Sequence, residues 1–160
     1  MRKHCASSWL LSVFIVMFAT ACGDAGTAPA SIAGRYNIVT ANGVGLPAIV
    51  AELSADEIQG DGLAKVYLNS GHIQINDSGT CSSSVNRTFT TIDDYVIDTA
   101  DYTDICTWTQ AGSTISFTHA DGVFWRSDGS SDTATLSGNR LTMTFPNWFT
   151  AGTLTFVFER

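Results

Sequence analysis

Residues 113–118 are Ser-Thr-Ile-Ser-Phe-Thr, in which an apolar side chain occupies alternate positions among hydroxyl residues. Successive side chains of a β-strand point to opposite faces, so this pattern places Ile115 and Phe117 on one face. It predicts a strand with one side in a core and the other side in water. The same alternation recurs in residues 72–76, 140–145 and 153–158.

Pairs of a small or polar residue with glycine separate these segments and predict hairpin turns. They are Asn42-Gly43, Ser70-Gly71, Ser78-Gly79, Ala111-Gly112, Asp121-Gly122, Asp128-Gly129 and Ser137-Gly138. Residues 46–52 are predicted as a further strand and residues 54–59 as a turn or a single helical turn. Short strands at this spacing predict an all-β fold. A small antiparallel meander barrel is favoured because closure removes exposed edges, and an open β-sandwich is the alternative.

The first residues have the pattern of a secretory signal peptide. A basic head with Arg2 and Lys3 precedes an apolar run over residues 9–21, which is shorter than the roughly 20 residues that a spanning helix needs. The small residues of 19–21 predict cleavage after Ala21. We therefore expect a signal peptide over 1–21, a flexible linker over 22–33 and a single β domain over 34–160.

The residues around the predicted cleavage site, Ala19-Thr20-Ala21-Cys22, resemble the lipobox of bacterial lipoproteins. The resemblance implies that Cys22 carries a diacylglycerol with fatty acyl chains such as palmitate, which would anchor an exported protein to a membrane. Gly23 rather than Asp follows the cysteine. The resemblance then implies the outer membrane, at its periplasmic face or the cell surface. An unmodified Cys22 with a free thiol is the alternative.

The cysteine count agrees with lipidation. Cys5 would leave with the signal peptide, and lipidation of Cys22 leaves Cys81 and Cys106 as one pair. Disulfides persist in exported proteins, so these two residues are predicted to be joined.

The charge excludes one class of partner. Without residues 1–21, six Lys/Arg face fifteen Asp/Glu, a formal charge of −9. Phosphate backbones and anionic headgroups repel such a protein. We expect no nucleic-acid partner and a membrane contact made through the lipid alone.

Both ends of the predicted β domain support a family resemblance. Residues 34–38 (GRYNI) begin the first strand and residues 156–160 (FVFER) end the last. With the repeated hairpins, they resemble the small lipocalin-like barrels of bacterial lipoproteins. Lipocalins begin with Gly-x-Trp, whose ring packs against a basic residue from near the end of the barrel. Tyr36 stands at the Trp position, and Arg160 is the candidate basic partner.

No catalytic motif is found: the sequence lacks Gly-x-Ser-x-Gly, His-Glu-x-x-His, Cys-x-x-Cys and a phosphate-binding glycine loop. His119 shares the strand phase of Ile115 and Phe117 and is predicted at the rim of the barrel. We expect a non-enzymatic protein without a cofactor.

The acidic stretch 93–104 is the best candidate for a metal site. Calcium prefers six to eight oxygen ligands, often from a loop, and Asp98, Asp101 and Asp104 could supply some of them. The spacing fits no known calcium loop, so a solvated acidic segment is the favoured interpretation.

Aromatic residues provide the candidates for ligand binding: Trp108, Trp125, Trp148 and Phe149. Adjacent rings, as at 148–149, cannot all point inward from a strand. Some should therefore line a barrel mouth that accepts a ligand, cover a protein-binding surface, or plug the end of the barrel. The leading hypothesis is an envelope lipoprotein that binds an apolar or amphipathic small molecule. The alternative is a structural or protein-interaction module with a filled barrel.

Overall fold

The computed structural model describes residues 31–53, 62–119, 131–146 and 152–160. Residues 31–160 form one compact unit. Within the described ranges, no helix is long and apolar enough to cross a membrane. The turns predicted at residues 54–59, Asp121-Gly122 and Asp128-Gly129 lie outside these ranges.

All regular elements of the described chain are β-strands. They are β1 Gly34–Ala41, β2 Val44–Gly45, β3 Ala48–Glu52, β4 Lys65–Ile75, β5 Thr80–Thr90, β6 Val96–Ala111, β7 Thr114–His119, β8 Ser131–Ser137, β9 Arg140–Pro146 and β10 Thr153–Glu159. The strand predicted over residues 46–52 is confirmed as β3.

The sheet closes into an eight-stranded antiparallel barrel. From β4 to β10 each strand pairs with the next, and β1 pairs with both β10 and β4. The short strands β2 and β3 pair with β1 and β4 beside this closure. Because the ring is complete, the predicted lipocalin-like meander barrel is confirmed and the open β-sandwich is wrong.

The turn predictions are confirmed at Asn42-Gly43, where both residues have positive φ as a type I′ hairpin requires. The prediction at Ser70-Gly71 is wrong, because β4 runs through it with a bulge between Leu68 and Ser70. A Cβ on Gly71 would lie 2.6 Å from Cδ1 of Ile38. Glycine is therefore needed here for close packing inside the barrel and not for a turn.

The alternating segments bury the predicted face. Ile115 is 0% and Phe117 1% exposed. No water molecule could touch a side chain with 0% exposure, so the interior is filled wherever such residues pack. These residues are Tyr36, Ile75, Val85, Ile115, Leu141, Met143 and Phe158. We call them the apolar layer.

The two ends of the barrel differ. One end, which we call the turn end, carries the tight turns at residues 76–79, 112–113 and 138–139. The other, the loop end, carries the turns at 42–43 and 91–95. The strand ends Glu52, Lys65, His119, Ser131, Pro146 and Thr153 also lie at the loop end.

Arg160 packs against the start of the barrel at the turn end. Its guanidinium lies 5.6 Å from the ring centre of Tyr36, so the predicted contact between these residues is confirmed. A Cβ on Gly34 would lie 2.7 Å from Cδ of Arg160, and Gly34 has a φ of +149°. Glycine is therefore required at this position.

The disulfide is also confirmed. Cys81 and Cys106 are directly opposed on β5 and β6, with their Cα atoms 4.8 Å apart, and a disulfide bond joins their sulfur atoms. Both face the interior and are 2% exposed.

Candidate ligand-binding site

A cluster of three ionisable side chains lies inside the barrel. Asp104 on β6, His119 on β7 and Asp132 on β8 each take the inward phase of their strand, and each is 4% exposed. A hydrogen bond joins Nδ1 of His119 and Oδ2 of Asp104. Nε2 of the same ring lies 3.4 Å from Oδ2 of Asp132. The imidazole is thus held between two carboxylates.

The carboxylates favour a protonated His119. Burial, the largest influence, lowers the pKa of His119, but contacts with Asp132 and Asp104 together outweigh it and raise the pKa above its ordinary value of 6.5. The 3.4 Å separation at Nε2 is longer than a well-formed hydrogen bond. This N–H therefore makes an ion-pair contact and keeps the capacity to donate to a better-placed acceptor.

Two buried hydroxyls of β5 lack a partner among the described residues, and one of them, that of Ser83, lies beside the cluster. Oγ of Ser83 and Oγ1 of Thr90, both on β5, have no hydrogen-bond partner within the described part of the chain. Ser83 is 3% exposed and directly opposes Asp104 on the neighbouring strand. A buried hydroxyl without a partner costs about 1–3 kcal/mol. The hydroxyl of Ser83 therefore faces the Asp104 side of the cluster with an unused donor and acceptor.

Arg87 and two aromatic rings lie further along the interior, towards the loop end. The guanidinium of Arg87 sits 5.2 Å from the ring centre of Tyr102, and burial lowers the pKa of Arg87. Phe89 meets Tyr102 edge to face at 6.3 Å between ring centres. Both rings stay half-buried, unlike the apolar layer. This part of the wall offers apolar surface and a cation.

Calcium sites are often formed by a loop. The acidic stretch 93–104 is not a loop, because most of it belongs to β6. Asp104 points inward. Asp101 faces outward and accepts a hydrogen bond of 2.9 Å from Asn86. Asp98 is exposed, and its Oδ1 accepts a hydrogen bond from the amide of Thr99. The described residues contain no group of three or more side chains that could hold a metal ion.

Of the four predicted aromatic candidates, the structure describes Trp108 only. Its indole Nε1 donates to the carbonyl of Asn76 at 2.9 Å, and its amide donates to Gly79. It therefore packs over the β4–β5 turn, at the turn end and away from the polar cluster. Trp125, Trp148 and Phe149 lie outside the described residues, as does the predicted anchor Cys22.

The prediction that His119 is a rim residue is wrong, because its ring is buried between Asp104 and Asp132. Sequence reasoning also missed Asp132 and Ser83. A signal was present: each of these polar residues falls on the inward phase of an alternating strand. Only a buried partner or a ligand explains a polar residue at such a position.

Comparison with known proteins adds little to this site. No family model and no curated protein matches the sequence. Among solved structures, the fatty-acid-binding protein isolated from Manduca sexta matches at 15% identity, covering 81% of this chain and 100% of that chain, with a TM-score of 0.31. A likeness at this TM-score carries no argument about function. The description as a lipocalin-like barrel rests on the strand order and closure.

Proposed function

We propose that this protein is an exported, lipid-anchored β-barrel that binds an amphipathic small molecule without transforming it. The observation that carries the binding proposal is the polar cluster, Asp104, His119 and Asp132, with the hydroxyl of Ser83 beside it. A buried polar group inside an apolar barrel is expensive unless it has partners. A bound ligand would supply the partner that Ser83 lacks.

The chemistry of the cluster indicates the kind of head group. Two carboxylates surround a single imidazolium, so negative groups outnumber positive groups in the cluster. A head group with a positive charge, such as a primary amine, complements this charge and could also donate a hydrogen bond to the hydroxyl of Ser83. The apolar part of the ligand would lie along Phe89 and Tyr102, since the apolar layer is filled.

Three probes with the same tail test the ligand class: dodecylamine, dodecanol and dodecanoic acid, titrated into the protein and followed by native mass spectrometry. We expect dodecylamine to bind most tightly. We also expect Asp132→Asn to weaken the binding of dodecylamine more than the binding of dodecanol or dodecanoic acid. Tighter binding of dodecanoic acid would contradict an amine head group and would indicate that the head group binds at Arg87. Failure of all three, with no ligand co-purifying with residues 31–160, would overturn the binding function.

The second candidate is a structural or protein-interaction module with a filled barrel. The filled apolar layer favours it, because that part of the interior admits no ligand. Under this alternative the polar cluster is purely internal, and no small molecule changes the unfolding temperature. A purified protein that melts identically with and without the three probes would support it.

The anchor is tested by fractionation of a bacterium that expresses the whole chain. Cys22→Ser should move the protein out of the membrane fraction, because the acyl chains provide the only attachment that we propose. Cys5→Ser is the matched control and should stay with the membranes, since Cys5 lies in the predicted signal peptide. Membrane association of the Cys22→Ser protein would contradict lipidation at this residue.

A further inference from the structure

The chain enters the barrel at the turn end and is held there by four hydrogen bonds. Nη1 of Arg160 donates to the carbonyls of Ser31 and Ala33 at 3.1 and 2.9 Å. The hydroxyl of Tyr36 donates to the carbonyl of Ile32 at 3.0 Å. The hydroxyl of Ser31 donates to Asp77, in the β4–β5 turn, at 2.7 Å. Ser31, the first residue that the structure describes, is therefore fixed at the turn end.

The tether between the proposed anchor and this point is short. Nine residue steps separate Cys22 from Ser31, which is about 32 Å when fully extended. β4 has 11 residues, which gives about 36 Å along the strand and, at a typical tilt, a barrel about 25–30 Å tall. The loop end could approach the bilayer only if the tether were almost fully stretched.

The two ends of the barrel also differ in charge. Among the described residues, the loop end carries Glu52, Asp93, Asp94 and Asp98 against Lys65. The turn end carries Arg35, Arg140 and Arg160 against Asp77 and Glu159. Anionic headgroups repel the acidic loop end, whereas the described residues of the turn end have one excess positive charge and are not repelled.

We infer that the turn end of the barrel faces the bilayer and that the loop end points away from it. The inference rests on the lipid anchor of the proposed function. His119 and Asp132 lie at the loop-end termini of β7 and β8, so a ligand that entered through the loop end would come from the side opposite the membrane. By that route the protein would exchange its ligand with the aqueous compartment or with a soluble donor, and not with the bilayer that holds its anchor.

Distance-dependent quenching in vesicles tests this orientation. A fluorophore is attached through p-azidophenylalanine in place of Ser113, in the exposed turn-end turn, or in place of Ile92, which is 56% exposed at the loop end. The acylated protein is reconstituted in phosphatidylcholine–phosphatidylglycerol vesicles that carry nitroxide-labelled headgroups. We expect several-fold stronger quenching at position 113 than at position 92.

Equal quenching at the two positions, or stronger quenching at position 92, would overturn the orientation. A flexible insert of Gly and Ser after Ala30 serves as the control, because a longer tether should reduce the difference between the two labels. A difference that survives a long insert would show that a direct membrane contact, and not the tether, orients the barrel.

A second preparation separates this inference from the proposed anchor. The chain from Cys22 onward is coupled through the Cys22 thiol to a maleimide lipid, so its attachment no longer depends on acylation by a bacterium. If the bacterial protein carries no acyl chain, the lipid-anchor proposal fails. The coupled protein still reports whether a tether at residue 22 orients the barrel as inferred.

Discussion

His119 is a buried imidazole that is stabilised in its charged form. Its pKa in the folded protein lies above the unfolded value of 6.5 because Asp104 and Asp132 outweigh the effect of burial. Between the unfolded and the folded pKa of His119, the folded state therefore binds more protons than the unfolded state. The stabilisation is complete below the unfolded pKa and is lost as the pH rises through the folded pKa.

We predict that the free energy of unfolding of the wild-type protein falls as the pH rises from mildly acidic to mildly alkaline values. His119→Gln should be less stable at acidic pH and should lack this decline. Urea denaturation across that range measures both. His72→Gln is the matched control. Burial, then Arg35, lowers the pKa of His72, so its own contribution has the opposite sign. A decline that persists in His119→Gln would contradict the assignment.

Ser83 illustrates a cost in stability that a ligand could offset. We predict that Ser83→Ala raises the free energy of unfolding of the ligand-free protein by about 1 kcal/mol, because it removes a buried hydroxyl without a partner. The same substitution should weaken dodecylamine binding. Ser84→Ala, whose side chain takes the opposite face of β5, should change neither quantity. Destabilisation by Ser83→Ala would show that the hydroxyl has a partner.

At the scale of the element, β4 forms the closure of the barrel. The first half of β4 pairs with β3 and the second half pairs with β1, so two different strands pair with the same edge of β4. The bulge between Leu68 and Ser70 lies between these halves. Gly71 follows the bulge, and the side chains of Ile38 on β1 and Val85 on β5 occupy the space that a Cβ on Gly71 would need. The strand therefore bends at the position where the sheet closes on itself.

We predict that Gly71→Ala destabilises the protein by about 1–3 kcal/mol, the range expected for overpacking. The added Cβ would lie 2.6 Å from Ile38 and 2.7 Å from Val85. Adding Ile38→Val should recover part of the loss by removing the Cδ1 atom that the new Cβ meets. Gly45→Ala is the control, since nothing lies within 4 Å of its added Cβ. Equal stability of the Gly71 and Gly45 variants in urea would refute this packing argument.

At the scale of the whole molecule, Arg160 joins the last residues of the described chain to the first. Its guanidinium covers Tyr36 and bonds the carbonyls of Ser31 and Ala33. The contact ties the start of β1 to the end of β10 beyond their pairing. It also determines where the chain enters the barrel.

We predict that Arg160→Gln lowers the free energy of unfolding by about 1 kcal/mol, a modest value because the guanidinium is exposed and screened by solvent. Amide hydrogen exchange at Ser31–Ala33 should accelerate, with little change at Ile115. Arg140→Gln is the control, as its Nε lies 4.0 Å from Glu159 in an exposed pair. Unchanged exchange in Arg160→Gln would contradict the role of this residue in holding the chain entry.

The amino-acid pattern alone is enough to predict the alternating strands, their buried faces, the disulfide and the contact between Tyr36 and Arg160. Each of these depends on local periodicity, on a count of cysteines or on a short motif that resembles a known family. Tertiary packing places Ser70-Gly71 inside a strand, since the close approach of Ile38 on β1 and Val85 on β5 to Gly71 is invisible in the sequence of β4. It also brings together Asp104, His119 and Asp132, which lie 15 and 13 positions apart, because the pairing of β6, β7 and β8 sets which inward side chains meet.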